Sequence, residues 1–151
     1  MSVRVKGLDK AIRDIQKKGS IAVQTAKNVL ADTATEIELD AKINAPSQVG
    51  GQVLNIKQRI DKVVSEGGLR WQVGVQGSQD FDMYVEAGTG QSAVEILYGP
   101  GYTDEMRAIA REFYKNGQGT LIGRPYLFPA FIKHIANLVE ELRKEIAASI
   151  K

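Results

Sequence analysis

Small and apolar residues recur through the first third of the chain at Leu8, Ile12, Ile15, Gly19, Ala22, Ala26, Val29, Thr33 and Ile37. The steps between them are fours and threes, which trace one face of a helix. The pattern predicts a helix from Leu8 to about Asn44, with Asp9 in its first turn, where a carboxylate suits the helix dipole. Gly19 is its weak point: glycine costs about 1 kcal/mol relative to alanine inside a helix, so a kink or break is expected there. Ala45-Pro46 ends the segment, because the residue before a proline is pushed out of the helical region. Gly19, Ala22 and Ala26 make the middle of the stripe small, so a sheet or a second helix should approach it closely.

The period then changes. After a loop, Pro46 to Gly51, Leu54, Ile56, Ile60 and Val64 fall in one alternating set, and Asn55, Lys57, Arg59 and Asp61 in the other. Glu66-Gly67-Gly68 is a turn signal, and Trp71, Val73 and Val75 alternate with Arg70, Gln72 and Gly74. This predicts an antiparallel hairpin with one buried face. A turn over Gly77-Ser78-Gln79-Asp80 leads to a short third strand, Phe81 to Ala87, that stops at Gly88-Thr89-Gly90. From Gln91 to Tyr102 no period is legible, and Gly99-Pro100-Gly101 marks a loop.

Helical spacing returns at Thr103, a good N-cap followed by Asp104 and Glu105. Met106, Ile109, Ala110 and Phe113 share a face, and Asn116-Gly117 is a stop signal. A second loop covers Gln118 to Gly123. Pro129 sits where a first helical residue would be, and Phe131, Ile135, Leu138, Leu142 and Ile146 form a stripe running almost to Lys151. The order predicts an α+β fold in a single domain over residues 1–151. Its antiparallel sheet of about three to four strands is packed by a long N-terminal helix and a C-terminal helix, with a short extra helix in an insertion.

Composition narrows the chemistry. The 20 basic and 18 acidic residues give a net charge of +2, which argues against a domain whose main task is gripping nucleic acid. Local patches remain open: Lys17-Lys18, and Lys57, Arg59 and Lys62 as candidate contacts to a DNA backbone, with ordinary charged surface as the commoner reading. With no cysteine, disulfides, thiolate nucleophiles and Cys-ligated metal are excluded. The N-terminus lacks the apolar run of a signal peptide, and no stretch nears the roughly 18 apolar residues of a membrane span.

Candidate chemistry is thin. His134 is the sole histidine, which excludes multi-histidine zinc; a catalytic role would require partners from elsewhere in the chain, and it is read as a solvated or interface residue. Gly88-Thr89-Gly90-Gln91-Ser92 has the look of a phosphate loop, but it lacks the Gly-Lys-Ser/Thr ending and no helix start is legible after it. Glu86 is an isolated acid, read as pairing with a basic neighbour or fixing the turn by a hydrogen bond. An enzyme using Glu86 or Asp82 as its acid would need convergent partners that the sequence does not offer. The run Glu140-Glu141 to Arg143-Lys144-Glu145 is a solvated helix face. Aromatics gather at Phe81 with Tyr84, and at Tyr126, Phe128 and Phe131. Tyr126 and Phe128 alternate across a proline-bounded segment, so one of them is expected to face a partner subunit.

These pieces together resemble the neck and tail-completion (head–tail joining) proteins of long-tailed bacteriophages, the broad family that includes minor tail protein Z of phage lambda. The resemblance rests on Gly7-Leu8 opening the first helix, Ala45-Pro46-Ser47-Gln48-Val49-Gly50 ending it, and Val73-Gly74 in a strand. The most specific piece is Tyr84-Val85-Glu86-Ala87-Gly88-Thr89. Last comes Pro125-Tyr126-Leu127-Phe128-Pro129-Ala130, opening the C-terminal helix. The match covers nearly the whole chain in order. It departs at the Ala-Pro-Val-Asp-Thr-Gly turn, here Ser-Gln-Val-Gly-Gly after the Ala-Pro, and at Gln91 to Gly123, which is longer than in the shortest members.

The resemblance implies a structural subunit, with no catalysis, cofactor or metal. It implies a homo-oligomeric ring, a hexamer on a six-fold tail, closed through heterologous contacts. Its partners would be the tail terminator, the tail tube and the head-completion proteins, with double-stranded DNA in passage and no membrane. The chain would be made in the host bacterial cytoplasm and end in the virion. A tail-terminator role and a non-specific DNA-binding module are the alternatives. The expected subunit contact joins Tyr84, Glu86, Gly88 and Thr89 to Pro125, Tyr126, Phe128 and Pro129. On that expectation Tyr126→Ser or Phe128→Ser leaves the monomer folded and weakens assembly.

Overall fold

A computed structural model describes residues 7–17, 19–49, 52–77, 80–114 and 119–150. The side chains of Ile15, Phe81 and Phe113, the Lys18 end of the Lys17-Lys18 pair, Gly50-Gly51, Ser78-Gln79 and the Asn116-Gly117 stop lie outside what it describes. The first stripe forms two helices, α1 (Leu8–Gln16) and α2 (Ser20–Asn44). Gly19 breaks them apart at φ 105°, a backbone conformation open to glycine, and it caps α2 without a side-chain hydrogen bond. Ala22, Ala26, Val29, Thr33 and Ile37, the expected stripe, are all buried along α2.

Both sheet and helix cover that stripe. Two antiparallel pairs are present among the described residues: β1 (Gln48–Val49) with β2 (Gln52–Val53), and β3 (Ile60–Ser65) with β4 (Arg70–Val75). In the second pair Ile60 faces Val75, Lys62 faces Val73 and Val64 faces Trp71. The turn between them is Glu66–Gly68, with Gly67 and Gly68 at φ 63° and 96° and the Lys27 side chain of α2 laid against Gly68. Fold class is therefore mixed helix and sheet, with helix predominating.

Four expectations are corrected. The strand begun at Leu54 is interrupted by a one-turn helix, α3 (Ile56–Arg59), which buries Ile56 completely. The strand expected from Phe81 to Ala87 is a helix, α4 (Asp80–Ala87), so no single sheet of three to four strands forms among the described residues. Asp82 and Glu86 share a face at a period of two and at one of 3.6, so periodicity could not separate the two states. Burial separates them: Met83, Val85 and Ala87 are covered as well, which needs surroundings on more than one side. Third, Gln91–Tyr98 is a helix, α5, between Gly90 and Gly99, with Ala93, Ile96 and Leu97 buried at helical spacing. The fourth concerns Pro129, treated below.

The chain continues through α6 (Asp104–Phe113), whose cap is the expected Thr103: its Oγ1 accepts from the Met106 N–H at 3.3 Å. It ends with α7 (Leu127–Ile135) and α8 (Leu138–Ser149), two helices sharing the single stripe that the sequence shows. Two apolar clusters result. The larger gathers α4 to α7 against the sheet and the C-terminal half of α2. The smaller packs Leu138, Leu142 and Ile146 of α8 onto Ala22 and Ala26, the small residues that let the helices approach. Trp71 touches both clusters, and a cavity of about 70 Å³ lies beside it, between Leu30, Phe131 and Leu138.

Tyr126 and Phe128 are both fully buried in the larger cluster, with Tyr102 set edge-on to the Phe128 ring at 6.3 Å. Their alternation misled because residue 126 precedes the helix and residue 128 is inside it. Neither is free to anchor a partner, and the serine substitutions cannot leave the monomer intact. Tyr126→Ser and Phe128→Ser should each cost about 3–5 kcal/mol, read as a drop in the urea midpoint. A loss under about 1 kcal/mol would contradict their burial.

Candidate functional site

The two segments that carry the resemblance meet in the interior. Glu86 lies near the C-terminal end of α4, completely buried. Its Oε2 accepts the backbone N–H groups of Tyr126 at 3.0 Å and Leu127 at 2.9 Å, and its Oε1 accepts that of Phe128 at 2.8 Å. A helix start leaves four N–H groups without an intrahelical partner. Here three go to one carboxylate, and the fourth does not exist, because position 129 is proline. Pro129 is thus the third residue of α7 and not the first, and its missing N–H completes the cap.

Below this latch the chain is tied again. The Thr89 N–H donates to the Leu121 carbonyl at 2.9 Å, and the Leu121 N–H donates back to Thr89 Oγ1 at 3.1 Å. Ser92 Oγ accepts from the Gly123 N–H at 2.9 Å, and the Val85 carbonyl accepts from the Arg124 N–H at 2.7 Å. The strands of this neck touch so closely that a Cβ on Gly88 would lie 2.4 Å from the Gly123 nitrogen, and one on Gly123 2.8 Å from the Ala87 carbonyl carbon. The hydroxyl oxygens of the phosphate-loop lookalike accept backbone N–H groups of this neck, and a helix does begin directly after it.

Beside the latch, among the described residues, one buried acid is paired with a cation and the other is not. Asp82, also buried, takes both arms of Arg59, at 2.7 and 2.5 Å, and that guanidinium also reaches the Gln76 carbonyl. Burial, with Glu86 and Asp82 adding to it, raises the Tyr126 hydroxyl far above its ordinary value. Glu86 itself is pushed up to about 7 by burial, against the pull of its three amide donors. Lys62 pairs with Glu38 at 3.1 Å and with Thr35 at 2.8 Å, so of the three nominated DNA contacts only Lys57 stands exposed in solvent. Tyr84 and Thr89 are half-buried, Gly88 is buried, Pro129 is half-buried and Pro125 is exposed. The expected subunit contact is thus brought together, but as an interior joint whose surface consists of little beyond Pro125.

His134 is neither solvated nor idle. Its Nδ1 faces Glu36 Oε2 at 3.0 Å and its Nε2 faces Asp40 Oδ2 at 2.7 Å, clasping α7 to α2. Lys133 joins at 2.6 Å, and these two partners hold Asp40 below the usual carboxylate range. Among the described residues no group of three or more acidic or histidine side chains is placed to hold a metal ion, and no helix is long and apolar enough to cross a membrane. The Arg59–Asp82 pair and the Ser92 contact join distant segments and leave no signal in local periodicity. The α5 helix was signalled only by Ala93, Ile96 and Leu97 between two glycines.

The chain is a mixed helix-and-sheet domain of α+β type, and its most constrained residues serve its own architecture. No protein-family model, curated protein or solved structure matches this chain.

The latch sets a pH dependence. Glu86 ionises near 4.5 when unfolded and near 7 when folded, so between these values the folded chain holds a proton the unfolded chain has lost. Stability should therefore be greatest at the acid end of this window and fall by about 3 kcal/mol as pH rises through it. Glu86→Gln should flatten that slope in urea titrations between pH 4.5 and 7.5. An unchanged slope would assign the titration to another group. Gly123→Ala should cost at least about 2 kcal/mol, since backbone meets the new methyl. A neutral result would show that the neck opens easily.

Proposed function

We propose that the chain is a structural subunit of a phage virion neck or tail end, forming a ring that completes the tail and joins it to the head connector, with DNA passing through the centre. The observation that carries this reading is the set of motif segments that motivated the resemblance. Tyr84 to Thr89 and Pro125 to Ala130 stand on either side of the whole Gln91–Gly123 insertion, yet their residues form one buried latch. A motif that serves the fold suits a scaffold protein.

The surface supports the reading as well. Leu39, Ile43, Val53, Tyr98 and Ile122 are more than half exposed. Of these, Leu39 and Ile43 adjoin on one face of α2, an apolar pair that a partner would cover on assembly. With Arg59 and Lys62 paired internally, contact with DNA in such a ring would be sparse and confined to the phosphate backbone. The tail-terminator role shares these features. A non-specific DNA-binding module built on Lys57, Arg59 and Lys62 would instead need all three free, and two of them are paired within the chain.

The test is the mass of the purified chain across a concentration series, with negative-stain images of the same samples. Uniform closed rings with one subunit count are expected. A monomer at every concentration that also fails to bind purified tails would count against the proposal. Salt-dependent binding of duplex DNA by that monomer would favour the DNA-binding module.

A further inference from the structure

Both α1 and α8 lie against the N-terminal half of α2, through Ile12, Ala22, Ala26, Leu142 and Ile146. They leave a groove between them. It encloses about 370 Å³ and is walled by Val139, Leu142, Ile146, Ala147 and Ile150, with Asp14 on one bank and Arg143 on the other. Nothing among the described residues fills it. Its shape and lining suit the apolar stripe of a helix.

The same chain carries such a stripe. Leu39 and Ile43 of α2 are 55% and 72% exposed. They are one turn apart and so lie side by side on the outward face. Asp32 precedes them on that face, exposed and one turn before the Glu36 that His134 holds, and it would meet the exposed Arg143 on the bank of the groove away from Asp14. Groove and stripe sit at opposite ends of one rod. At about 1.5 Å per residue, Ala22 and Ile43 are roughly 30 Å apart along α2.

We propose that the groove between α1 and α8 takes the Leu39–Ile43 stripe of a second copy of this chain, head to tail. Two different, complementary patches on one rigid subunit make a heterologous contact, which repeats and closes into a ring when its rotation allows. The proposal rests on the ring reading above and names its joint. It also fits the interior placement of Glu86, Gly88, Tyr126 and Phe128: they hold the subunit's shape, while α2 and the α1–α8 groove make the joint.

The chain has no cysteine, so introduced thiols report without background. Leu39→Cys mixed with Ala147→Cys should give a disulfide-linked dimer under mild oxidation, while either variant alone should not. A dimer from Leu39→Cys alone would show a two-fold contact and overturn the head-to-tail joint. Leu39→Asp with Ile43→Asp should raise the concentration needed for assembly by at least about tenfold. Its melting temperature should hold, because both side chains are already in water. Ala147→Glu, on the groove side, should act likewise. If wild-type rings form and the double aspartate variant forms them equally well, this joint is wrong and the ring reading stands. If the wild-type chain forms no ring alone or on purified tails, the ring reading itself fails and the joint with it.

Discussion

A helix that begins inside a protein must place its first N–H groups somewhere, and there is no water there to take them. In this chain Glu86 takes three and Pro129 removes the fourth. That arrangement dictates much else. It seats the N-terminus of α7 at the end of α4, so everything between must leave and return through a narrow neck. Thr89, Ser92, Gly88 and Gly123 form that neck, and the two glycines are there because no side chain fits. It also demands a buried carboxylate, whose ionisation the surroundings resist. The raised value near 7 is the physical trace of that conflict.

The remainder of the structure is organised around α2. One end of this helix carries the small cluster with α8, the other the large cluster with the sheet and α7. Lys62 with Glu38, and His134 with Glu36 and Asp40, fasten neighbouring elements to its sides. Such a rod keeps its two ends in fixed relation, which is the property that a repeating assembly requires of its subunit.

The ring we propose places its function on the outside of this molecule. The groups with distinctive chemistry, Glu86, Asp82, Arg59 and His134, are engaged with backbone or with one another. Aliphatic side chains such as Leu39, Ile43 and Ile122 are left in water. The ring we propose reads that surface as the working part and the latch as its support.

Periodicity by itself determined the α2 helix and its buried stripe, the hairpin around Glu66–Gly68 and the Thr103 cap, because each depends on neighbours close in sequence; the C-terminal stripe it showed as one helix is two, α7 and α8. It also pointed to Gly19 as the break. Tertiary structure alone decided the state of residues 80–87, since Asp82 and Glu86 share a face whether the segment is helix or strand. Tertiary structure likewise decided the direction of Tyr126 and Phe128, which follows from where α7 starts, and that start is set by a carboxylate forty residues away. Glu86 was legible as a turn-fixing acid, but the identity of its partners was not. A hydrogen bond between segments so distant leaves no period in the sequence, and only the packing of α4 against α7 brings donor and acceptor together.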